Sequence, residues 1–143
     1  MGTFPRTPID VERLKTEVRV NAVLNLQTAQ DFTDFDIDWL ALERCYQRSE
    51  MVVRRVPIND FDTQDLQRKI SKAVNVLDEL LSTPHRVYLH CTAGISRAPS
   101  TAVAYLAWRL GWNLEEALIH VQNCRPCTPN KRVLQALSID RSA

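Results

Sequence analysis

Residues 90–97 of this chain, His-Cys-Thr-Ala-Gly-Ile-Ser-Arg, combine the residue types that covalent phosphate chemistry requires. Cys91 supplies a thiol, and Arg97 supplies a planar guanidinium that can contact two oxygens of one phosphate group. A thiolate that attacks phosphorus forms a cysteinyl-phosphate, which water then hydrolyses, so one difficult displacement becomes two easier ones. The segment therefore predicts hydrolysis of a phosphomonoester through a covalent intermediate.

The residues on either side of this loop predict how it is held. The apolar residues 87–89 favour a buried strand, and residues 98–110 have helical composition. A loop between a strand end and a helix N-terminus directs unpaired backbone N–H groups and the positive end of the helix dipole at one point. The same groups stabilise a thiolate, so we expect Cys91 to be deprotonated at neutral pH. The residues predicted to bind the phosphate are Thr92, Ala93, Gly94, Ile95, Ser96 and Arg97.

The residues of the loop and their spacing distinguish a phosphatase from two alternatives, a sulfurtransferase and an inert core cysteine. Five residues lie between Cys91 and Arg97, whereas a sulfurtransferase-type loop has four and would need a cation where this chain has Ser96. Gly94 suits a position where a side chain would obstruct the ligand or where a positive φ is needed. An isolated cysteine at the end of a core strand is usually inert, but here a histidine, a glycine and an arginine accompany it.

The leaving oxygen needs a proton, so a carboxylic acid must reach the substrate from a second loop. Asp60, Asp62 and Asp65 lie between the strand-like residues 51–56 and the helical pattern of residues 63–81. We predict that Asp60 is the general acid, with Asp62 as the alternative. Asp62 and Asp65 are better placed to cap the helix that follows.

The His-Cys-x5-Arg loop resembles that of the cysteine-dependent protein tyrosine phosphatase superfamily, and the short chain resembles its dual-specificity branch. Residues 125–130 with 133–137 are similar to the final segment of that branch, and residues 57–60 are similar to its general-acid loop. The resemblance spans about residues 10 to 138. It implies that Asp60 is the acid and that His90 and Asn130 order the loop, with proton transfer as the alternative for His90.

A closer resemblance is to the plant glucan phosphatases, which dephosphorylate starch. Its residues are 21–27, 60–62, 91–94 with 97–99, and 125–127. Those enzymes have glycine where this chain has Ser96, whereas Ala98 agrees with them and replaces the serine or threonine of most of the superfamily. That hydroxyl helps the cysteine to leave, so its absence affects hydrolysis of the intermediate. The resemblance places Phe61, and Phe35 or Trp39, along a sugar channel; core packing is the alternative for these aromatic side chains.

Three functions follow as expectations. The first is a dual-specificity protein phosphatase that acts on phosphorylated tyrosine and serine or threonine in proteins. The second is a phosphatase of starch or glycogen, for which the substrate is a phosphoglucan. The third is a phosphate-binding module without turnover.

Composition limits the class of protein. Lys and Arg number 18 and Asp and Glu number 17, so the basic surface of a nucleic-acid-binding protein is not expected. No apolar run approaches the roughly 18 residues of a membrane span, and the first residues lack the apolar core of a secretory signal. Cys124 and Cys127 form a CxxC pair without a second pair of zinc ligands. We expect a cytoplasmic, monomeric protein that needs no metal or cofactor and binds neither nucleic acid nor membrane.

The wider pattern predicts an α/β fold, with a mainly parallel central sheet and helices on both faces. Predicted strands are 22–26, 52–57 and 87–90, and predicted helices are 9–18, 38–47, 63–81, 98–110, 114–123 and 130–137. The whole chain, 1–143, is expected to be one catalytic domain with residues 1–9 as a short N-terminal extension. Cys91 is also expected to oxidise reversibly, with Cys45, Cys124 or Cys127 as disulfide partner only if folding brings one within reach.

Overall fold

The computed structural model describes residues 1–142, with side chains described as far as Ser138. In that part of the chain three strands form a parallel sheet in the order β2-β1-β3: β1 (Ala22–Asn25), β2 (Val52–Arg55) and β3 (Val87–His90). In the register Asn25 pairs with both Arg55 and His90, so all three strands end at the same edge. The predicted parallel sheet is confirmed.

The helices agree with the predicted ones to within a few residues, apart from the last, which extends beyond residue 137, and one that was not predicted. Their bounds are α1 (Pro8–Thr16), α2 (Ala29–Asp34), α3 (Trp39–Arg48), α4 (Thr63–Leu81), α5 (Arg97–Trp108), α6 (Leu114–Cys124) and α7 (Lys131–Ser142). The unpredicted helix is α2, which is too short to show a helical period of apolar residues. None of the helices described is both long enough and apolar enough to cross a membrane.

The sheet separates two apolar clusters because successive strand residues point to opposite faces. Ala22 and Leu24 of β1 pack into a cluster with α4, α5, α6 and α7, whereas Val23 packs into a second cluster with α1 and α3. Helices on both faces of the sheet are therefore confirmed.

Helix α4 supports the central strands because its apolar residues recur every three to four positions. Leu66, Ile70, Val74 and Leu77 are buried as that spacing predicts. At the C-terminal end of the helix Leu80 is buried, whereas Leu81 is 39% exposed. The helical period of 3.6 residues brings position 80 back onto the buried face of the helix.

Candidate active site

The loop of residues 91–96 leaves β3 at the carboxyl edge of the sheet and enters α5 at Arg97. Cys91 is only 2% exposed and lies on the wall of a cavity of about 330 Å³. Arg97 and Asp60 line the same cavity. The fold therefore brings the three predicted catalytic residues to one place.

The backbone N–H groups of residues 92–96 find no acceptor in the described part of the chain. Successive free amides before a helix N-terminus form a concave surface that favours an anion. The carbonyl side of the loop is tied down, because the carbonyl oxygen of Ile95 accepts a hydrogen bond from the amide of Thr128 at 2.8 Å. The loop is thus fixed on one side and has free donors on the other.

Arg97 is 3% exposed, and its guanidinium is held on one edge. Nη1 donates to Oδ2 of Asp31 at 2.8 Å and to the carbonyl oxygen of Ile58 at 2.9 Å, and Nη2 donates to Oδ1 of Asp31 at 3.1 Å. Nη2 also lies 3.3 Å from Oδ2 of Asp60, while the buried Nε has no partner among the described residues. Burial by itself lowers the pKa of Arg97, but Asp31 and Asp60 raise it by more than burial lowers it. The pKa therefore lies above its ordinary value, and the guanidinium stays charged.

Asp31 is a site residue that the sequence analysis missed. It lies in α2, where Thr28 and Asp31 form a capping box, and its Oδ1 accepts a hydrogen bond from the hydroxyl of Thr92 at 2.9 Å. Burial raises the pKa of Asp31, but hydrogen bonds from Arg97, Thr28 and Thr92 outweigh it and lower the pKa to about 2. The spacing of Thr28 and Asp31 was the available signal, because an N-cap threonine followed three residues later by an acidic residue indicates a helix start.

His90 is buried beside the cysteine. Its Nδ1 lies 2.9 Å from the carbonyl oxygen of Cys91, which can only accept, so Nδ1 carries the proton. Burial lowers the pKa of His90 to about 4, and the ring is neutral at physiological pH. This contact is the kind expected of a residue that orders the loop.

Gly94 has φ +70°, in the left-handed region that favours glycine. A Cβ at this position would lie 2.8 Å from the carbonyl carbon of Gly2. The first residues run alongside the loop, with the amide of Gly2 bonded to the carbonyl of Leu89 and the amide of Phe4 bonded to the carbonyl of Thr92. The segment that the sequence suggested was only an extension therefore packs against the phosphate loop.

The three candidate acids have different partners. Asp62 caps α4 and accepts a hydrogen bond from the amide of Asp65 at 3.0 Å. Asp65 is buried and accepts a hydrogen bond from the amide of Asn59 at 2.7 Å. Asp60 does not cap the helix, and its Oδ2 lies 3.3 Å from Nη2 of Arg97.

The remaining predicted residues are distributed as follows. Asn130 lines the cavity, but its hydrogen bonds go to Ser100 of α5 and Val133 of α7 rather than to the loop. Phe61 is fully exposed where it lines the cavity. Phe35 does not line it and instead packs on Phe4, with a ring separation of 5.5 Å.

A family model described as "Dual specificity phosphatase, catalytic domain" matches residues 7–139. The chain belongs to this family. This dual-specificity phosphatase domain is 33% identical over 131 residues to "Phosphoglucan phosphatase LSF1, chloroplastic" of Arabidopsis thaliana, a match that covers 92% of the chain. It is 36% identical over 90 residues, 62% of the chain, to "Dual specificity protein phosphatase 8" of Homo sapiens.

The dual-specificity phosphatase domain spans 22% of the length of the Arabidopsis relative and 14% of the human one. Among solved structures, human DUSP28 superimposes with a TM-score of 0.72 at 18% identity, and all of both chains is covered. That likeness shows the fold. The predicted family and fold are confirmed.

Proposed function

We propose that this domain hydrolyses phosphomonoesters through a cysteinyl-phosphate at Cys91. The observation that carries the proposal is the set of donors around the thiol that find no acceptor within the described part of the chain, namely the amides of residues 92–96 and Nε of Arg97. Buried or convergent donors are costly when unpaired, and three phosphate oxygens would satisfy them together. A tetrahedral dianion in this cavity would therefore have its phosphorus above Sγ of Cys91.

The proposed reaction has two displacements. The Cys91 thiolate attacks phosphorus, the bond to the substrate oxygen breaks, and Asp60 gives that oxygen its proton. Water then attacks the cysteinyl-phosphate, its proton passes to the Asp60 carboxylate, and the S–P bond breaks to restore the thiolate. Loop amides and Arg97 stabilise the charge on the equatorial oxygens in both steps.

Cys91→Ser tests the covalent step. The variant should keep the fold and lose hydrolysis of an aryl phosphate, because a serine hydroxyl is a far weaker nucleophile at neutral pH than a thiolate. It should still bind inorganic tungstate, since the amides and Arg97 remain. Cys124→Ser, on the exposed side of α6, is the matched control and should keep full turnover. Near-normal turnover in Cys91→Ser would exclude the mechanism, and a wild-type chain that binds tungstate but never releases phosphate would support the binding module instead.

The first proposed substrate class is phosphorylated protein, as the family name and the human relative suggest. A second candidate is phosphorylated glucan. Two observations favour it: the Arabidopsis phosphoglucan phosphatase matches over nine-tenths of the chain, and Phe61 presents an exposed ring at the cavity, which suits packing against a sugar face. Arg97 is the only cation that lines the cavity within the described residues. The part of the substrate next to the phosphate, peptide or glucan, should therefore be neutral in this cavity.

Phosphate release from phosphotyrosine and phosphothreonine peptides, compared with release from solubilised phosphorylated starch, distinguishes the two classes. Phe61→Ala sharpens the comparison. In the glucan case it should lower kcat/KM for starch and leave a small aryl phosphate unaffected, whereas Phe35→Ala, outside the cavity, should change neither. Equal loss on all substrates would argue against a sugar contact.

We also propose that residues 1–143 act as one monomeric catalytic domain in the cytoplasm. Sedimentation of the purified chain and fractionation of the cells that make it test these two points.

A further inference from the structure

Asp31 makes more hydrogen bonds to the phosphate loop than its place in a short helix requires. Its side chain is nearly buried, at 7% exposure. Oδ1 accepts from Nη2 of Arg97 and from the hydroxyl of Thr92, and Oδ2 accepts from Nη1 of Arg97 and from the amide and hydroxyl of Thr28. One carboxylate therefore contacts the loop near its beginning, at Thr92, and at its end, at Arg97.

The contact determines which edge of the guanidinium is free. A guanidinium has two edges that can each offer a pair of N–H groups, one formed by Nη1 and Nη2 and the other by Nε and Nη2. Asp31 occupies the first edge, and the carbonyl oxygen of Ile58 takes the second N–H of Nη1. Only the edge formed by Nε and Nη2 is left, and among the described residues it meets no acceptor besides Oδ2 of Asp60.

We propose that Asp31 is a positioning residue that turns the Nε–Nη2 edge of Arg97 toward the phosphate. The inference rests on the proposed function, because it assigns Arg97 to the phosphate. Without Asp31 the guanidinium could rotate about its terminal torsions, and its two donors would no longer match two oxygens of one phosphate. A displacement of about 1 Å in such a group is enough to cost on the order of 100-fold in rate.

Asp31 also caps α2, so its structural role must be separated from its action on Arg97. Asp31→Asn keeps an oxygen that can accept from the amide of Thr28 but loses the charge and the paired acceptors that Arg97 needs. Thr28→Ala is the matched control, because it removes the threonine hydroxyl from the capping box and leaves the contact between Asp31 and Arg97 intact. Loss of such a cap costs about 1 kcal/mol.

The measurements are kcat and KM for an aryl phosphate, the affinity for inorganic tungstate by calorimetry, and Tm. Asp31→Asn should weaken tungstate binding and lower kcat/KM, each by about 10- to 100-fold. Thr28→Ala should lower Tm while its tungstate affinity stays within about twofold of wild type. If Asp31→Asn does not fold, Asp31→Glu retains the charge but shifts the carboxylate by one methylene, and it should show the same losses to a smaller degree.

A double-mutant cycle decides whether Asp31 acts through Arg97. Arg97→Lys removes the planar fork, so adding Asp31→Asn to it should weaken tungstate binding by less than threefold further. Independent, multiplying losses would overturn the proposal, as would unchanged tungstate affinity in folded Asp31→Asn. Failure of the proposed function gives a different result: if wild type binds tungstate but hydrolyses nothing, the affinity series still measures the role of Asp31.

Discussion

Asp60 and Asp62 lie two positions apart and have different partners. Oδ1 of Asp62 accepts from the amide of Asp65, which commits this carboxylate to the first turn of α4. Asp60 accepts a hydrogen bond from the amide of Phe61 and reaches Arg97, so its carboxyl group faces the cavity. The sequence predicts Asp60 as the acid with Asp62 as the alternative, and these hydrogen bonds also favour Asp60.

Asp60→Asn should slow substrates with poor leaving groups, such as alkyl phosphates, by about 100- to 10,000-fold. A nitrophenyl phosphate, whose phenolate leaves without a proton, should be affected far less. Asp62→Asn is the matched control, because asparagine is an equally good N-cap and should leave both rates near wild type. The check is kcat for both substrates in both variants; the reverse order would assign the acid to Asp62.

Gly94→Ala should abolish most of the activity, because the new methyl group would meet the backbone of Gly2. Gly111→Ala is the control: its φ is also positive, at +74°, but no atom of the residues that the structure describes lies within 4 Å of a Cβ there. Both variants should lose about 1 kcal/mol of stability, because alanine is strained at a positive φ. Only Gly94→Ala should also distort the loop. Tm and kcat/KM are the measurements, and an active Gly94→Ala would show that the contact with Gly2 is dispensable.

At the scale of elements, the N-terminal turn of α4 holds the acid loop. Asp65, in that turn, accepts from the amide of Asn59 at 2.7 Å and from Arg68 and Lys69 at 3.2 and 3.1 Å. The bond to Asn59 fixes the residue immediately before Asp60. The helix that supports the central strands therefore also holds the loop that carries the proposed acid.

Asp65→Asn should free the acid loop and lower kcat for an alkyl phosphate by about 10-fold, with a smaller change for a nitrophenyl phosphate. Stability should fall by roughly 1 to 3 kcal/mol, since the amide of Asn59 and two cations lose a charged acceptor. Asp78→Asn, which changes a half-buried carboxylate of the same helix that is paired with Arg109, should leave kcat unchanged. If both substrates slow equally in Asp65→Asn, the effect does not run through the acid.

At the scale of the whole molecule, the sheet separates the thiols. Cys91 packs in the cluster on the side of α4 and α5, and Cys45 packs in the cluster on the side of α1 and α3. Cys127 packs against the same cluster as Cys91. Reversible oxidation of Cys91 stays a prediction, and Cys127 is a better candidate partner than Cys45.

The whole molecule should lose stability as the pH falls, in two successive windows. Burial lowers the pKa of His90 from 6.5 to about 4, so between these values the unfolded chain binds a proton that the folded chain does not. The pKa of Asp31 falls from 3.8 to about 2, so its contribution is lost between about pH 4 and pH 2. In both windows the unfolded state binds more protons, and stability therefore falls as the pH is lowered.

Urea unfolding at pH 7 and at pH 4.5 tests the first window. His90→Asn retains an amide that can donate to the carbonyl of Cys91 but cannot take up a proton. Wild type should lose about 2 kcal/mol more than this variant between the two pH values. An equal loss in both proteins would show that His90 is not the group responsible.

The sequence by itself determined the phosphate loop, the family, the parallel sheet and the longest helix. Patterns within short stretches of sequence predict these features. The five residues between Cys91 and Arg97 indicate the phosphate loop and the family, the alternation of strands and helices indicates the parallel sheet, and apolar residues at helical spacing over residues 63–81 indicate the longest helix. Tertiary structure alone decided how Arg97 is held and what lies behind Gly94. Asp31 and Arg97 are 66 positions apart, and Gly2 reaches Gly94 across the edge of the sheet. No local pattern encodes such pairs, because they meet only after the strands and helices have packed.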